Sequence, residues 1–129
     1  MGQPAAKQGD QITALDNHLI QPPGPTSPVL VPHPFSGIID GSLSSDVNIM
    51  GMPAATVTST ATNTPPHIPI GGTFVNPPTN IGRIITGSGT VFINGKPAAR
   101  SGDTANTCND PVELPVGTVV AAGTVLIGG

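Results

Sequence analysis

The chain has 129 residues, the size of one ordinary domain, and its four Lys or Arg against seven Asp or Glu give a net charge of −3. This acidic balance, with no Trp, no Tyr and three Phe, excludes the basic, aromatic-bearing surface of a nucleic-acid-binding protein. The 17 Gly and 16 Pro would suit a disordered chain, but a charged fraction of 9% beside a hydrophobic fraction of 36% argues against disorder.

The few aromatic residues predict a light core that something else must help to hold. Such a core usually needs a metal ion, a disulfide or a partner, and the single cysteine, Cys108, excludes an intramolecular disulfide. The N-terminal sequence MGQPAAKQGD has no signal-peptide pattern, and the chain has no apolar run long enough for a membrane helix. We therefore expect folding in the cytoplasm and a fold stabilised by a metal or a partner.

The tripeptide PAA occurs three times, beginning at Pro4, Pro53 and Pro97. The second and third copies follow the sequences DVNIMGM and TVFINGK, which share the frame V-x-I-x-G-x-P-A-A. Alternation in this frame predicts a short strand over 47–51 and another over 91–95, and the Gly and Pro that follow break each strand. We expect PAA to form the turn that ends the strand.

The first PAA has no strand before it, but the C-terminal sequence GTVLIGG supplies one. Residues 125–129 read V-x-I-x-G and stop where x-P-A-A would begin. Self-similarity of this kind is typical of repeat architectures, and joining the two ends would remove open sheet edges. We therefore predict a closed, pseudo-threefold unit in which the two termini meet.

Two stretches between the PAA copies, 13–39 and 59–82, contain most of the prolines. We predict ordered polyproline-like loops there, and almost no helix anywhere. The sequences PAAKQGD and PAARSGD place Asp10 and Asp103 at matching positions, and we expect each carboxylate to bond to the backbone of its own turn. The middle copy, PAATVTS, lacks this Gly-Asp pair.

The V-x-I-x-G strands, the sequence INGKPAARSGD and the C-terminal strand that completes the first repeat together resemble the PAAR-repeat proteins. These proteins form the sharp tip of contractile injection machines such as type VI secretion systems. The resemblance implies a mostly β fold, a small pseudo-threefold β-cone of short strands and hairpins with proline-rich loops and a metal at the vertex. It also implies that the cone caps a trimeric β-helical, VgrG-like spike protein, one cone per trimer, and sharpens it for puncturing a target membrane.

On this reading the chain is a structural protein and not an enzyme, and residues 1–129 form one cone domain without an appended effector domain. It would be cytoplasmic before assembly and injected on contraction, with transient contact to the target membrane, and it is compatible with an effector cargo. The middle repeat, which lacks the Arg and the Gly-Asp of the other copies, is where the fit to the spike is least defined. We expect the base that docks on the spike to include apolar residues of the predicted strands: Val47, Ile49, Val91, Ile93, Val125 and Ile127.

The three histidines and the one cysteine make the donor set of a closed tetrahedral zinc site. His18 and His67 each lie fourteen residues after the proline of the PAA in their repeat, and Cys108 lies eleven residues after its own. One donor from each repeat can therefore converge on the pseudo-threefold axis, with His33 from the first long loop as the fourth. The resemblance implies the same kind of site, a structural zinc ion bound by His and Cys near the vertex.

Two other classes of protein use the same features differently. A small zinc metalloenzyme would leave one coordination position open to water, whereas four protein ligands leave none. A disordered, proline-rich linker would give no dispersed amide spectrum. The sequence GSGTVFINGK does not meet the phosphate-loop pattern, so no nucleotide site is expected.

Overall fold

The structure is a computed structural model that describes residues 2–128, and within this range it is all β, as predicted. No helix that could span a membrane occurs in that range. The strands, in chain order, are β1 Gln3–Pro4, β2 Gln11–Gln21, β3 Val29–Gly41, β4 Asn48–Ile49, β5 Met52–Pro53, β6 Thr60–Asn63, β7 Thr73–Phe74, β8 Ile81–Ile84, β9 Phe92–Ile93, β10 Lys96–Pro97, β11 Thr104–Thr107, β12 Leu114–Val120 and β13 Leu126–Ile127.

Six strands form a closed barrel in simple chain order. Each repeat contributes one antiparallel pair, β2 with β3, β6 with β8 and β11 with β12. Neighbouring repeats pair through β3 with β6, β8 with β11 and β12 with β2, and the last pairing closes the sheet. The predicted closure is confirmed, and it leaves the barrel strands without an open side at the level where all six pair.

Three small hairpins lie at one end of the barrel, which we call the turn end. The pairs β4–β5 and β9–β10 are continuous in the chain, whereas the third hairpin pairs β13 with β1, so that Ile127 lies opposite Gln3. The C-terminal strand therefore completes the first repeat, as the sequence predicts, although Gly129 of the predicted strand lies outside the described residues.

The PAA tripeptide is not the turn, which corrects the prediction from sequence. The turns are Met50-Gly51 and Asn94-Gly95, whose φ values of 51° and 83° and of 52° and 78° are those of a two-residue hairpin turn. Each proline of PAA lies in the returning strand of its hairpin, and the two alanines after it are buried. The motif needs alanine because the three copies pack against one another around the axis.

The second alanines of the three copies form a closed ring of backbone hydrogen bonds. Ala6 N–H donates to the Ala99 carbonyl (3.0 Å), Ala99 N–H to the Ala55 carbonyl (3.1 Å) and Ala55 N–H to the Ala6 carbonyl (3.0 Å). All three side chains have no exposed surface. We call these three residues the alanine ring, and it is the most regular expression of the threefold repeat.

Two apolar clusters meet at the alanine ring, whose side chains belong to the first of them. One fills the barrel and includes Ile12, Phe35, Ile39 and Ile84 with the ring alanines. The other lies under the three hairpins and contains one isoleucine and one alanine from each repeat: Ile49, Ile93, Ile127, Ala5, Ala54 and Ala98. Both clusters are built mostly from small and aliphatic side chains, as the composition predicts.

The middle repeat keeps the same turn geometry although its sequence lacks the Gly-Asp pair. Asp10 Oδ2 accepts from Lys7 N–H (3.0 Å) and Asp103 Oδ2 from Arg100 N–H (2.7 Å), which confirms the predicted turn bonds. Ser59 takes the same place in the second copy, where its Oγ accepts from the backbone N–H of Thr56 (2.9 Å). The hydroxyl of a serine therefore replaces the carboxylate of an aspartate without changing the turn.

The predicted loop over 13–39 is wrong, because β2 and β3 form a long hairpin of 11 and 13 residues with a connection at 22–28. Ser36 shows which side of β3 faces away from β2: its N–H donates to Asn63 Oδ1, and its carbonyl accepts from Thr64 N–H. Backbone groups two and four residues earlier point to the same side, and those residues are Pro34 and Pro32. Prolines fit this strand because the N–H groups that they lack would face an unpaired edge.

Candidate metal centre

The five residues of the candidate metal centre lie at the end of the barrel opposite the turn end, which we call the loop end. Asp16 and His18 are on β2, and His33 faces them from β3. His67 comes from the loop between β6 and β7, and Cys108 directly follows β11. Each of the three repeats therefore contributes at least one donor side chain, as the matching offsets in the sequence indicate.

Three of the four predicted ligands meet in one cluster. His18, His67 and Cys108 each offer a donor atom, and with one carboxylate oxygen of Asp16 these atoms all lie within 4.8 Å of one another. The ring centroids of His18 and His67 are 4.9 Å apart. Separations of this size allow a single ion to contact several of these donors, so the cluster could hold a metal.

His18 is the strongest single indication that the cluster binds a metal ion. Its ring is 1% exposed, and neither ring nitrogen has a hydrogen-bond partner within the described part of the chain. The nearest charged group is Asp110, whose Oδ2 is 3.5 Å from Nδ1. Burial, with His67 close by, lowers the pKa of His18, so the imidazole is neutral and has a lone pair available for a metal.

His33 is beside the cluster rather than within it. Its ring centroid is 5.5 Å from that of His18 and 5.6 Å from that of His67. Nδ1 is 2.8 Å from the Val31 carbonyl oxygen, and Nε2 accepts from the backbone N–H of Ile70 at 3.3 Å. Both ring nitrogens therefore have partners within the chain, a metal on Nε2 would have to replace the contact with Ile70, and the place of His33 as the fourth ligand stays a prediction.

Cys108 is 5% exposed, and a bound metal would decide whether its side chain is a thiol or a thiolate. Burial, followed by the nearby carboxylate of Asp16, raises the pKa of the Cys108 thiol to about 11, so the metal-free side chain is protonated at neutral pH. A metal ion binds the thiolate and must displace this proton. Metal affinity should therefore increase as the pH rises towards the pKa of the thiol.

Asp16 is the member of the cluster that the sequence reasoning missed. It has no exposed surface, and one of its oxygens lies 2.9 Å from His67 Nε2. The prediction considered only His and Cys as donors. The signal that could have found Asp16 is strand alternation, because residues 16 and 18 of one β-strand face the same side.

The residues predicted for the docking base divide into two groups at the turn end. Ile49, Ile93 and Ile127 are 6–7% exposed and pack inside the chain's own second cluster, with Val47 partly buried against them. Val91 and Val125 are 36% and 40% exposed. The residues that follow these valines, Phe92 and Leu126, are 58% and 59% exposed, and Met50 and Met52 of the middle hairpin are 54% and 38% exposed.

Comparison with protein families gives one result. The family described as PAAR motif matches residues 31–113 and again residues 76–129. These two matches together reach from β3 to the C-terminus and include His33, His67, Cys108 and two of the three PAA copies. A search of curated proteins found no match.

Proposed function

Because the chain belongs to the PAAR-motif family, a family of structural spike-tip proteins, we propose that it forms the tip of the central spike of a contractile injection machine. It caps a trimeric β-helical spike protein, one chain per trimer, and gives the spike a point that concentrates the force of contraction on a target membrane. The role is mechanical, and the chain catalyses no reaction.

The observation that carries this proposal is the threefold arrangement at the turn end. One chain presents three hairpins of the same register around a closed ring of backbone hydrogen bonds. Three hairpins of the same register offer three equivalent contacts, which is what a partner with three identical subunits can use. The turn end therefore supports docking on a threefold partner.

The docking surface that we propose consists of the outward side chains of the hairpins. Phe92 and Leu126 supply apolar area, and the three buried isoleucines hold the hairpins in place from below. Met52, 38% exposed, adds apolar surface from the middle repeat. Lys96 lies on β10 and Asp46 accepts from the turn residue Asn94, so polar contacts would join the apolar contacts and backbone pairing that hold the complex.

At the loop end, we propose a structural zinc ion bound by His18, His33, His67 and Cys108. The donor set fits zinc, because imidazole nitrogen and thiolate sulfur are usual zinc ligands and four of them would close a tetrahedral site. The orphaned nitrogens of His18 support a bound metal. When bound, the ion supplies a cross-link between the long hairpin, the loop after β6 and the end of β11, where a narrow vertex has no room for a larger core.

The docking proposal is tested by measuring binding to the trimeric β-helical spike protein of the same machine. We expect one chain per trimer in light scattering of the purified complex. The double variant Phe92→Asp and Leu126→Asp places two charges in the contact, and we expect affinity to fall by a factor of about 100 or more.

The matched control is Leu30→Asp with Val112→Asp. These two side chains are 56% and 62% exposed but lie towards the loop end, so this variant should bind the spike like the wild type. Equal loss of binding in both double variants would contradict the proposed surface. A folded wild-type chain that does not bind the trimer would contradict the proposed function.

A further inference from the structure

Both carboxylate oxygens of Asp16 contact neighbouring side chains. Its Oδ1 accepts from the hydroxyl of Thr107 and from Asn109 Nδ2 (3.3 Å). Its Oδ2 lies 2.9 Å from His67 Nε2 and 3.5 Å from Cys108 Sγ. A fully buried carboxylate is therefore held by side chains from two separate parts of the chain, residues 107–109 and His67.

The contact with His67 determines which ring nitrogen can face a metal. An ionised carboxylate only accepts hydrogen bonds, so Nε2 carries the proton and donates it to Asp16. The lone pair of His67 is then on Nδ1. Carboxylates that accept from the second nitrogen of a ligating histidine fix the tautomer and orientation of the ring and make it a better ligand.

The negative charge of Asp16 also favours a metal ion at this site. The carboxylate contacts an imidazole, a thiol, a hydroxyl and an amide, and none of its contacts within residues 2–128 is with a Lys or Arg. A buried carboxylate without such a partner is stabilised by a cation placed nearby, and a buried cation by the carboxylate. A divalent ion would offset the charges of the Cys108 thiolate and the Asp16 carboxylate, and the carboxylate of Asp110, 3.5 Å from His18 Nδ1, is a further negative group beside the site.

We propose that Asp16 is the positioning residue of the metal site: it holds His67 in the tautomer that binds the metal through Nδ1, and its charge offsets that of the ion. On this proposal Asp16 acts through His67, with Oδ2 on His67 Nε2 and Oδ1 on Thr107 and Asn109, and it is not one of the four ligands. This inference rests on the proposed metal site and adds a fifth residue to it.

The test compares zinc affinity in wild type, Asp16→Asn and Asp40→Asn, by competition with a chromophoric chelator at pH 7.5. Asparagine keeps the size of the side chain but removes the charge. We expect Asp16→Asn to bind zinc about 10–100-fold more weakly. Asp40 is an exposed aspartate on β3 that contacts Thr62, so Asp40→Asn should stay within twofold of wild type.

Cobalt spectra distinguish a positioning residue from a ligand. We expect the Co²⁺ forms of wild type and Asp16→Asn to show the same thiolate charge-transfer band and the same strong visible bands of four-coordinate cobalt. Unchanged zinc affinity in Asp16→Asn would overturn the proposal, and so would a loss of the four-coordinate bands, which would make Asp16 a direct ligand.

The hydroxyl of Thr107 offers a second, milder change to the same contact. If Asp16→Asn does not fold, Thr107→Val replaces it, because that variant removes only the hydroxyl that donates to Asp16. A loss of zinc affinity of a few-fold with an unchanged cobalt spectrum supports the proposal, and unchanged affinity overturns it. A folded wild-type chain that binds neither zinc nor cobalt would instead overturn the metal site itself.

Discussion

Thr58 shows that backbone geometry can persist where sequence identity is lost. Gly9 and Gly102 have φ values of 93° and 92°, and the residue at the same place in the middle repeat is Thr58, with φ of 86°. The backbone N–H groups of all three donate to barrel carbonyls at 2.8–3.0 Å. A β-branched residue in this conformation stores about 1–3 kcal/mol of strain, which the surrounding hydrogen bonds hold in place.

The variant Thr58→Gly should therefore be more stable than wild type. The substitution has two costs: glycine loses more conformational entropy on folding, and the exposed hydrogen bond from Lys96 Nζ to Thr58 Oγ1 is lost. Because the release of backbone strain is larger than both, we expect the free energy of unfolding to rise by about 1 kcal/mol. The measurement is the free energy of unfolding in urea. The control is Thr62→Gly, an exposed strand position without positive φ, which should lose stability. A loss of similar size in both variants would show that Thr58 is not strained.

Candidate ligands were predictable from the sequence to the extent that they obey the repeat. His18 and His67 have the same offset from PAA, and both reach the cluster. Asp16 was not predictable in this way, because its role depends on contacts with His67, Thr107 and Asn109, which are 51, 91 and 93 residues away along the chain. Such contacts follow from barrel closure and not from any local pattern.

At the scale of elements, the alanine ring explains why an apolar tripeptide recurs. The sequence indicates the repetition correctly but suggests a turn, because glycine and proline next to a strand usually mark one. The frame itself does not reveal that three copies pack on one axis, where only a methyl side chain fits. The turn chemistry belongs instead to the positive-φ pairs Met50-Gly51 and Asn94-Gly95.

The variant Ala55→Val should test how tightly the alanine ring is packed. Two added methyl groups at a position with no exposed surface must separate the three copies, and we expect a loss of about 1–3 kcal/mol in the free energy of unfolding. Ala122→Val, at an exposed position, is the control and should change stability by less than about 0.5 kcal/mol. An unchanged Ala55→Val protein would mean that the axis has space to spare.

The long hairpin β2–β3 is the element that was hardest to predict from the sequence. Its prolines predict loops, since proline cannot donate in a ladder, yet Pro32 and Pro34 both point their missing donors to an unpaired edge. A sequence does not show which side of a strand is unpaired. The pairing partners of β3 are needed to see that the prolines are compatible with a strand.

At the scale of the whole molecule, the meeting of the two ends predicts a working circular permutant. Joining Gly128 directly to Gly2 gives Ile127-Gly128-Gly2-Gln3, which matches the turn Ile93-Asn94-Gly95-Lys96 in register. New ends are placed between Asn94 and Gly95, after an added initiator Met. We expect this permutant to fold with a β-type circular dichroism spectrum and to bind the spike trimer, because the paired strands are unchanged.

The control opens the chain between Ile38 and Ile39, within β3, with the same junction. Both residues are part of barrel pairing, so this second permutant should lose cooperative thermal unfolding. If the permutant opened between Asn94 and Gly95 is also unfolded, the three hairpins are not equivalent and the pseudo-threefold description fails at the level of folding.

Closure of the barrel by its first and last strands also determines when the fold can form during translation. The hairpin of β2 and β3 can pair as soon as it leaves the ribosome, since its contacts are local. The pairing of β12 with β2 and of β13 with β1 requires residues more than 100 positions further along the chain. The three docking hairpins are therefore complete only once β13 has left the ribosome, so a nascent chain that lacks β13 cannot present the full threefold surface to a spike.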